Sequence, residues 1–227
     1  NLANANVPGF RRDLPNDGAA GFLSTMNKAT ARIFPLETGE RIFSNEIGAL
    51  ESTGVQTDLA MLNGSYLFIQ PKDGDQALSR RGDLGVDAEN KLVDGAGNAV
   101  LSAELEPIIL PPFSAIKFSD NGEILVRQPG SLSGDFTSMG FLASTSAQPE
   151  ELSKGLDGRI RKLDGSVPPP DQSGQYAQGV LEGSNVNAIE EMVFNMDMQR
   201  QFEINVKLIK KAEELDQAGT KLMSLPN

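Results

Sequence analysis

The sequence predicts a mainly β domain, an antiparallel sandwich or barrel, followed by one long C-terminal helix of coiled-coil character. Two observations carry this reading. Between about residue 51 and residue 180, short apolar runs are broken by Gly, Pro, Asn and Asp every 8–12 residues or so, the rhythm of short antiparallel strands. From residue 183 that punctuation stops, and apolar residues recur three and four apart, which is helical spacing. With 227 residues, 39% of them hydrophobic and 22% charged, the chain suffices for one large or two modest domains.

The first element, residues 1–10, is NLANANVPGF. Pro8-Gly9 breaks regular structure, because proline removes a backbone donor and glycine frees the backbone. The segment reads as the tail of something longer, a helix whose earlier turns lie outside this sequence. Residues 11–50 mix short apolar pieces with Pro15, Gly18, Gly21, Pro35 and Gly39, and read as an extended connector with strands at 31–34 and 41–43.

The β domain spans 51–164. SYLFIQ (65–70) is a compact apolar strand closed by the turn chemistry of PKDGD. Short strands follow at 84–87 and 91–93. Residues 100–110 alternate as a strand and stop at Pro111-Pro112. Apolar runs at 116–118 and 124–126 flank SDNGE, where Asn121-Gly122 signals a two-residue hairpin. Residues 137–143 add a further strand. Residues 165–182, opening with GSVPPPDQSGQ, form a Pro/Gly-rich linker and return segment.

The helix occupies 183–227. Asn187 and Glu190 have capping-box spacing, with Ser184 as an N-cap one turn earlier. Glu190, Glu191 and Asp197 suit the positive end of the helix dipole. Glu203 with Lys207, and Lys210 with Glu214, are four-apart pairs of opposite sign. A seam runs through Ile189, Met192, Val193, Met196, Phe202, Val206, Ile209, Leu215, Ala218 and Leu222, slipping after Met196. Phe194, Met198, Ile204 and Leu208 place apolar side chains on other faces, which several neighbouring helices would cover. Alone, such a helix lacks the burial that normally stabilises it, and it is expected to be unordered in a dilute monomer.

Composition excludes several functions. The net charge of −11 argues against nucleic acid, which needs clustered cations. GRIRK (158–162), flanked by Asp157 and Asp164, reads as a solvated turn. Without Cys there are no disulfides, thiolate nucleophiles or Cys-ligated zinc. Without His, Ser-His-Asp and Cys-His catalysis are impossible within the chain. No cofactor, metal site or small-molecule substrate is expected. The enzymatic alternative is a carboxylate glycosidase using Glu104 and Glu106, two apart on one strand face, although surface solvation explains that pair more simply. Arg81-Gly82-Asp83 spells an adhesion tripeptide, read here as coincidence. Asp73-Gly74-Asp75 lacks the later acid of a calcium loop and reads as a turn.

Three ordered motifs resemble the flagellar axial proteins, the family that builds the bacterial rod and hook. The first is Asn1, Leu2, Ala3, Asn4, Pro8, Gly9 and Phe10 of NLANANVPGF. The second is TGVQTDLAMLNGSYLFIQPKDGDQALSRRGDLGVDAENKLVDGAGNAVL (53–101), with Thr57, Asp58, Leu59 and Ala60 as its TDLA step and an R-x-G further on. The third is GVLEGSNVNAIEEM (179–192), including Ser184, Asn185 and Val186. RQFEINVKLIKKAEELD (200–216) looks most like the proximal-rod member, with Phe202 and Val206 where distal-rod and hook proteins usually carry Tyr and a small residue. Ser65-Tyr66 and Leu78-Ser79-Arg80 depart from the usual Gly-Phe and Tyr-Thr-Arg steps.

The resemblance implies a structural, non-enzymatic subunit of the proximal rod in the bacterial flagellar basal body. The alternative within the family is a distal-rod or hook subunit. Terminal helices would assemble into a tube around the export channel and transmit torque, with an N-terminal partner helix preceding Asn1. Implied partners are other rod subunits, copies of itself and the flagellar type III export apparatus, and the subunit would reach the periplasm unfolded, without a cleaved signal peptide. Absence of cysteine suits that oxidising compartment. Ile189, Val193, Met196, Phe202, Val206 and Ile209 are the expected subunit-interface residues. An adhesin or phage-like fibre would instead need a heptad seam without the slip.

Overall fold

The apolar run YLFIQ becomes the central strand, Tyr66–Gln70, and its side chains alternate between two hydrophobic clusters. Leu67 points into a cluster with Leu59, Met61, Leu92, Ile124 and Leu142. Tyr66 and Phe68 point the other way, to Phe43, Leu78, Leu101, Leu152 and Ile160. A strand buried on both faces has no reason to alternate apolar with polar residues, hence the unbroken run. Burying Phe68 alone is worth about 1.5–3 kcal/mol.

The computed structural model describes residues 1–14, 42–130, 135–148, 151–155 and 157–223. The strand expected at 31–34 lies outside them, as does Arg41; Phe43 forms an antiparallel bridge with Asp13. Two compact units are present, Ala3–Val186 and the pair Asn1–Leu2 with Asn187–Asn227.

In the first unit every strand pair is antiparallel. The largest sheet runs Leu152–Lys154, Ile160–Lys162, Ala77–Ser79, Tyr66–Gln70, Ala99–Val100, Leu92–Asp94, Leu84–Val86, with Ser144–Thr145 also on the central strand. A second orders Thr137–Phe141, Glu123–Arg127, Ala115–Phe118. Two ribbons complete the unit, Leu50–Ser52 with Val180–Glu182 and Leu59–Met61 with Tyr176–Gln178. None of these paths returns to its first strand, so the described sheets are open rather than a closed barrel.

Three local expectations are corrected. Residues 100–110 are not one strand: after Ala99–Val100 the chain doubles back, Ser102 N–H donating to the Glu106 carbonyl, with Leu105 at φ +62°. Pro107, opposite Leu101, has no N–H to extend a ladder. Glu104 and Glu106 therefore flank a hairpin tip and share no strand face. At SDNGE the loop has three residues. Ser119 N–H donates to Glu123 O and Gly122 N–H to Ser119 O, with Gly122 alone taking a positive φ, +83°, where a two-residue type I′ turn needs two. Finally, GRIRK is partly the strand Ile160–Lys162. Arg161 donates to the carbonyls of Asp75 and Gln76 and to Asp157, so it clasps the 71–76 turn rather than facing water.

In the second unit Ala188–Met223 is one helix of 36 residues, about 54 Å long. Asn187 is its N-cap: its Oδ1 accepts from the N–H groups of Ile189 and Glu190, and its Nδ2 donates to Glu190 Oε1. Ser184 instead accepts from Val186 N–H, before the helix begins. Lys211 and Glu214 pair at 3.7 Å, and neither of the two four-apart pairs expected forms among the described residues.

Candidate assembly interface

Two features need a functional account: a buried charged junction in the β unit, and a helix whose apolar side chains face outwards.

The junction joins all three sequence motifs. Glu182, at the end of Val180–Glu182, lies between two guanidinium groups. Its Oε1 takes Arg11 Nη2 at 2.9 Å and Gly48 N–H at 3.1 Å, and its Oε2 takes Arg80 Nε at 2.8 Å. All three charged side chains are at most 2% exposed. Arg80 also donates to the carbonyls of Met61 and Ser65, and Arg11 to that of Glu46, so the surplus positive charge leans on carbonyl dipoles. Burial draws the Arg11 guanidinium below its ordinary pKa, with Glu182 opposing that shift. Burial likewise pushes up the Tyr66 hydroxyl, whose ring lies 5.7 Å from the Arg80 guanidinium carbon.

Around this core the N-terminal motif is held at Gly9 and Phe10. Leu2–Asn4 makes a turn of 3-10 helix, and Pro8 leads to Gly9 at φ +65°, whose N–H donates to the Glu182 carbonyl. A Cβ at Gly9 would overlap the Arg80 carbonyl. Phe10 lies under Lys154, 3.7 Å from Nζ to ring centre, and Lys154 also reaches the Arg11 carbonyl and Asp13. Asn185 accepts from Arg12 N–H at 2.6 Å and donates to the carbonyls of Ser44 and Glu46.

The second motif is tied in by backbone. Asp58 is buried and accepts from Thr53 Oγ1, and its carbonyl takes Gly179 N–H. Thr57 is half-buried beside it, while Leu59 and Ala60 are fully buried in Leu59–Met61. Gly82 of the R-x-G step lies so close that a Cβ would overlap the Leu59 carbonyl, and Leu59 N–H donates back to Gly82 O at 2.9 Å. The motif's glycine thus permits a backbone-to-backbone approach, and its arginine, Arg80, is the buried cation. Arg81 and Asp83 pair with each other through two bonds of 2.6 and 2.8 Å, which raises the Arg81 pKa and occupies both charged ends of the adhesion-like tripeptide.

Sequence reasoning quoted these stretches but gave Arg11, Arg80 and Glu182 no role. The usable signal was the position of Arg80 and Glu182 inside motifs whose glycines already demanded close packing, with Arg11 directly after the first motif.

The linker is fixed by Asp171. Burial alone would raise its carboxyl pKa. Bonds from Ser173 and from the N–H and hydroxyl of Ser146 outweigh that and hold it at about 2. Burial pushes the neighbouring Tyr176 hydroxyl up to about 12.

On the helix, the six residues expected at an interface are not brought together. Ile189, Phe202 and Ile209 are 73%, 69% and 67% exposed; Val193 and Met196 are also exposed, and Val206 is half-buried. Phe194, Met198, Ile204 and Leu208 are exposed as well, so apolar surface extends beyond a single stripe. At the helix start, Asn1 Nδ2 donates to Glu191 Oε1 at 3.1 Å.

Comparison with known proteins bears on both features. Residues 177–222 match the family model described as "Flagellar basal body rod FlgEFG protein C-terminal". Over 99% of its length the chain is 29% identical to flagellar basal-body rod protein FlgF of Salmonella typhimurium, covering 90% of that protein. It is 31% identical to flagellar basal-body rod protein FlgG of Borreliella burgdorferi, across 95% of this chain and 87% of the relative. Against the FlgF protein of Caulobacter vibrioides, identity is 28% over the whole chain and 90% of the relative.

Proposed function

The chain belongs to the flagellar basal-body rod protein family, and from that premise we propose that it is a proximal-rod subunit whose C-terminal helix packs among the helices of neighbouring subunits. It is a structural subunit of the basal body that assembles with other rod subunits, and it is not an enzyme. The proximal position rests on RQFEINVKLIKKAEELD, which looks most like the FlgF type.

One observation supports this mode of assembly above the rest: a 36-residue helix keeps large apolar side chains exposed around its circumference. Each Phe, Ile, Leu or Met so left forgoes about 1.5–3 kcal/mol of burial. Monomeric soluble proteins rarely present so extended an apolar surface. In this reading Ile189, Val193, Met196, Phe202, Val206 and Ile209 are subunit contacts, and Phe194, Met198, Ile204 and Leu208 meet further helices. The helices form a coiled-coil-like tube around the export channel and carry torque, partnered by an N-terminal helix. The β unit, read as a sandwich over residues 51–164 between the connector 11–50 and the linker 165–182, stands outside it. The subunit passes through the flagellar export apparatus without a cleaved signal peptide and takes its place in the periplasmic rod.

The test is immunogold labelling of isolated basal bodies. The epitope belongs in the Asp164-Gly165 turn, whose glycine has open space around it, because Arg159 and Arg161 hold the Asp73 turn. Label on the rod near the inner membrane supports the proximal reading; label on the distal rod or hook moves the subunit outwards within the family. Unlabelled basal bodies, with motility intact after deletion of the gene, would overturn the assignment.

A further inference from the structure

We propose that Leu50–Ser52 and the chain on either side of it form a docking surface for the lysine-bearing helix turn 207–211 of a second copy of this protein. The choice of partner rests on the rod assembly reading above.

Leu50–Ser52 is an edge strand with little to guard it. It pairs on one side only, with Val180–Glu182. Gly183 N–H donates to Ala49 O and Thr53 N–H to Gly179 O, so the peptide groups of Ala49, Glu51 and Thr53 face that partner. In an antiparallel ladder the residues between them point the other way, which turns the N–H and C=O groups of Leu50 and Ser52 outwards. Natural edges are usually blunted by lysine, proline, a bulge or a covering loop. Residues 42–56 contain no Lys, Arg or Pro, and the ladder has no bulge. Every residue from Ala49 to Gln56 is exposed. Ile42, Ile47, Leu50 and Val55 add apolar surface, each between 49% and 58% exposed.

Charge selects the occupant. Residues 42–56 carry two exposed carboxylates, Glu46 and Glu51, and no cation. Antiparallel pairing of this edge with its own copy would set Glu51 opposite Glu51, which like charge disfavours. The covering element therefore has to bring cations and apolar area together, and ammonium groups can also donate to the outward carbonyls. The helix has such a stretch. From Ile204 to Lys211 there is no acid, and Lys207, Lys210 and Lys211 are three and four apart, on one face. All three are exposed. Lys207 and Lys210 have no ion-pair partner among the described residues, and Lys211 has the exposed contact with Glu214. Ile204 and Leu208 beside them are exposed as well, and lie where a neighbouring helix and the docked strand meet. The first half of the helix, with Glu190, Glu191, Asp197 and Glu203 against Arg200, would be repelled by the same edge.

The chain has no cysteine, so single thiols report contacts without background. Two copies are expressed together in a strain lacking the chromosomal gene, one carrying Glu51→Cys and the other Lys210→Cys, and isolated basal bodies are treated with a short bismaleimide. A cross-linked pair of the two copies is expected at about tenfold the yield from Asp164→Cys with Lys210→Cys. A yield no higher than that control, with both copies present in the basal bodies, would overturn the docking and leave the rod assignment standing. Glu51→Cys joined to a different rod protein instead would overturn the choice of partner. Absence of the unsubstituted chain from basal bodies would overturn the rod assignment and this contact with it. Charge reversal gives a second readout. Glu46→Lys with Glu51→Lys is expected to lower incorporation about tenfold, and adding Lys207→Glu with Lys210→Glu in the same chain to restore it to within about threefold. These four side chains are exposed, so the purified variants should unfold at the parent's urea midpoint. Folded variants that show no such recovery would overturn the proposal.

Discussion

Replacing Glu182 by Gln changes shape little and charge completely. The carboxylate is the shared counter-charge of Arg11 and Arg80, all at most 2% exposed. Removing one partner of a buried pair typically costs about 3–5 kcal/mol, because the remaining charge is left uncompensated. Here two cations lose their partner. The Gln oxygen can still accept from one arginine, but its NH2 must face the donor fork of the other, so the upper end applies, about 5 kcal/mol. That is comparable with the whole stability of many domains, about 5–15 kcal/mol. With a urea m-value of about 3 kcal/mol/M, the midpoint should fall by more than about 1.5 M. The assay is urea unfolding followed by intrinsic tyrosine fluorescence. Glu51→Gln on the exposed face of Leu50–Ser52 is the control, expected to stay within about 0.5 kcal/mol. A loss below about 1 kcal/mol for Glu182→Gln would mean that the carbonyls, not the carboxylate, stabilise the two guanidinium groups, and the junction argument would fail.

Other consequences are open to direct measurement. Gly82→Ala should destabilise the β unit by about 3 kcal/mol, the top of the overpacking range, since the obstacle is the Leu59 backbone rather than a movable side chain; urea titration reads it. Asp171 has a depressed carboxyl pKa, so its contribution is present above the unfolded value near 4 and is lost as pH falls through about 2. Melting temperatures from pH 6 down to pH 2 should therefore drop less steeply for Asp171→Asn than for the parent, and parallel curves would refute the assignment. Asn187→Ala removes the acceptor of two helix N–H groups and should weaken the helix start by about 1 kcal/mol, seen as reduced far-UV helicity on warming at a protein concentration where the helices associate. Phe202→Glu with Ile209→Glu should leave β-unit stability within about 0.5 kcal/mol yet abolish incorporation into basal bodies; normal incorporation would remove these side chains from the interface.

The long helix, its Asn187 cap and the central strand were legible because each is a local pattern: spacing of three and four, a capping pair, an unbroken apolar run. What escaped the sequence was non-local. Asn121-Gly122 announces a hairpin, but loop length depends on how the flanking strands register, with Gly122 pressed against the Tyr176 ring. Glu104 and Glu106 alternate like strand residues, and only the pairing of Leu101 with Pro107 bends them into a tip. Arg161 looked like surface charge because its acceptors are carbonyls about 85 residues away in the chain, for which no residue type is a marker. Glu182 escaped for the same reason: its two arginines, Arg11 near the start of the unit and Arg80 in its middle, lie more than 100 residues away in the chain. The motifs located the junction without revealing its chemistry.

The hydrogen bond from Gly9 to the Glu182 carbonyl has a consequence for how such a chain tolerates change. The polypeptide enters the β unit and leaves it through one doorway, whose frame is Arg11, Arg80, Glu182 and Asn185. Everything between Thr53 and Gly179 hangs inside that frame like a loop on a clasp. Lengthening or trimming a peripheral turn such as Asp164-Gly165 alters the ornament and leaves the doorway its width. A designer wishing to hang a foreign module on this subunit would splice it there, and would leave the four residues of the frame untouched.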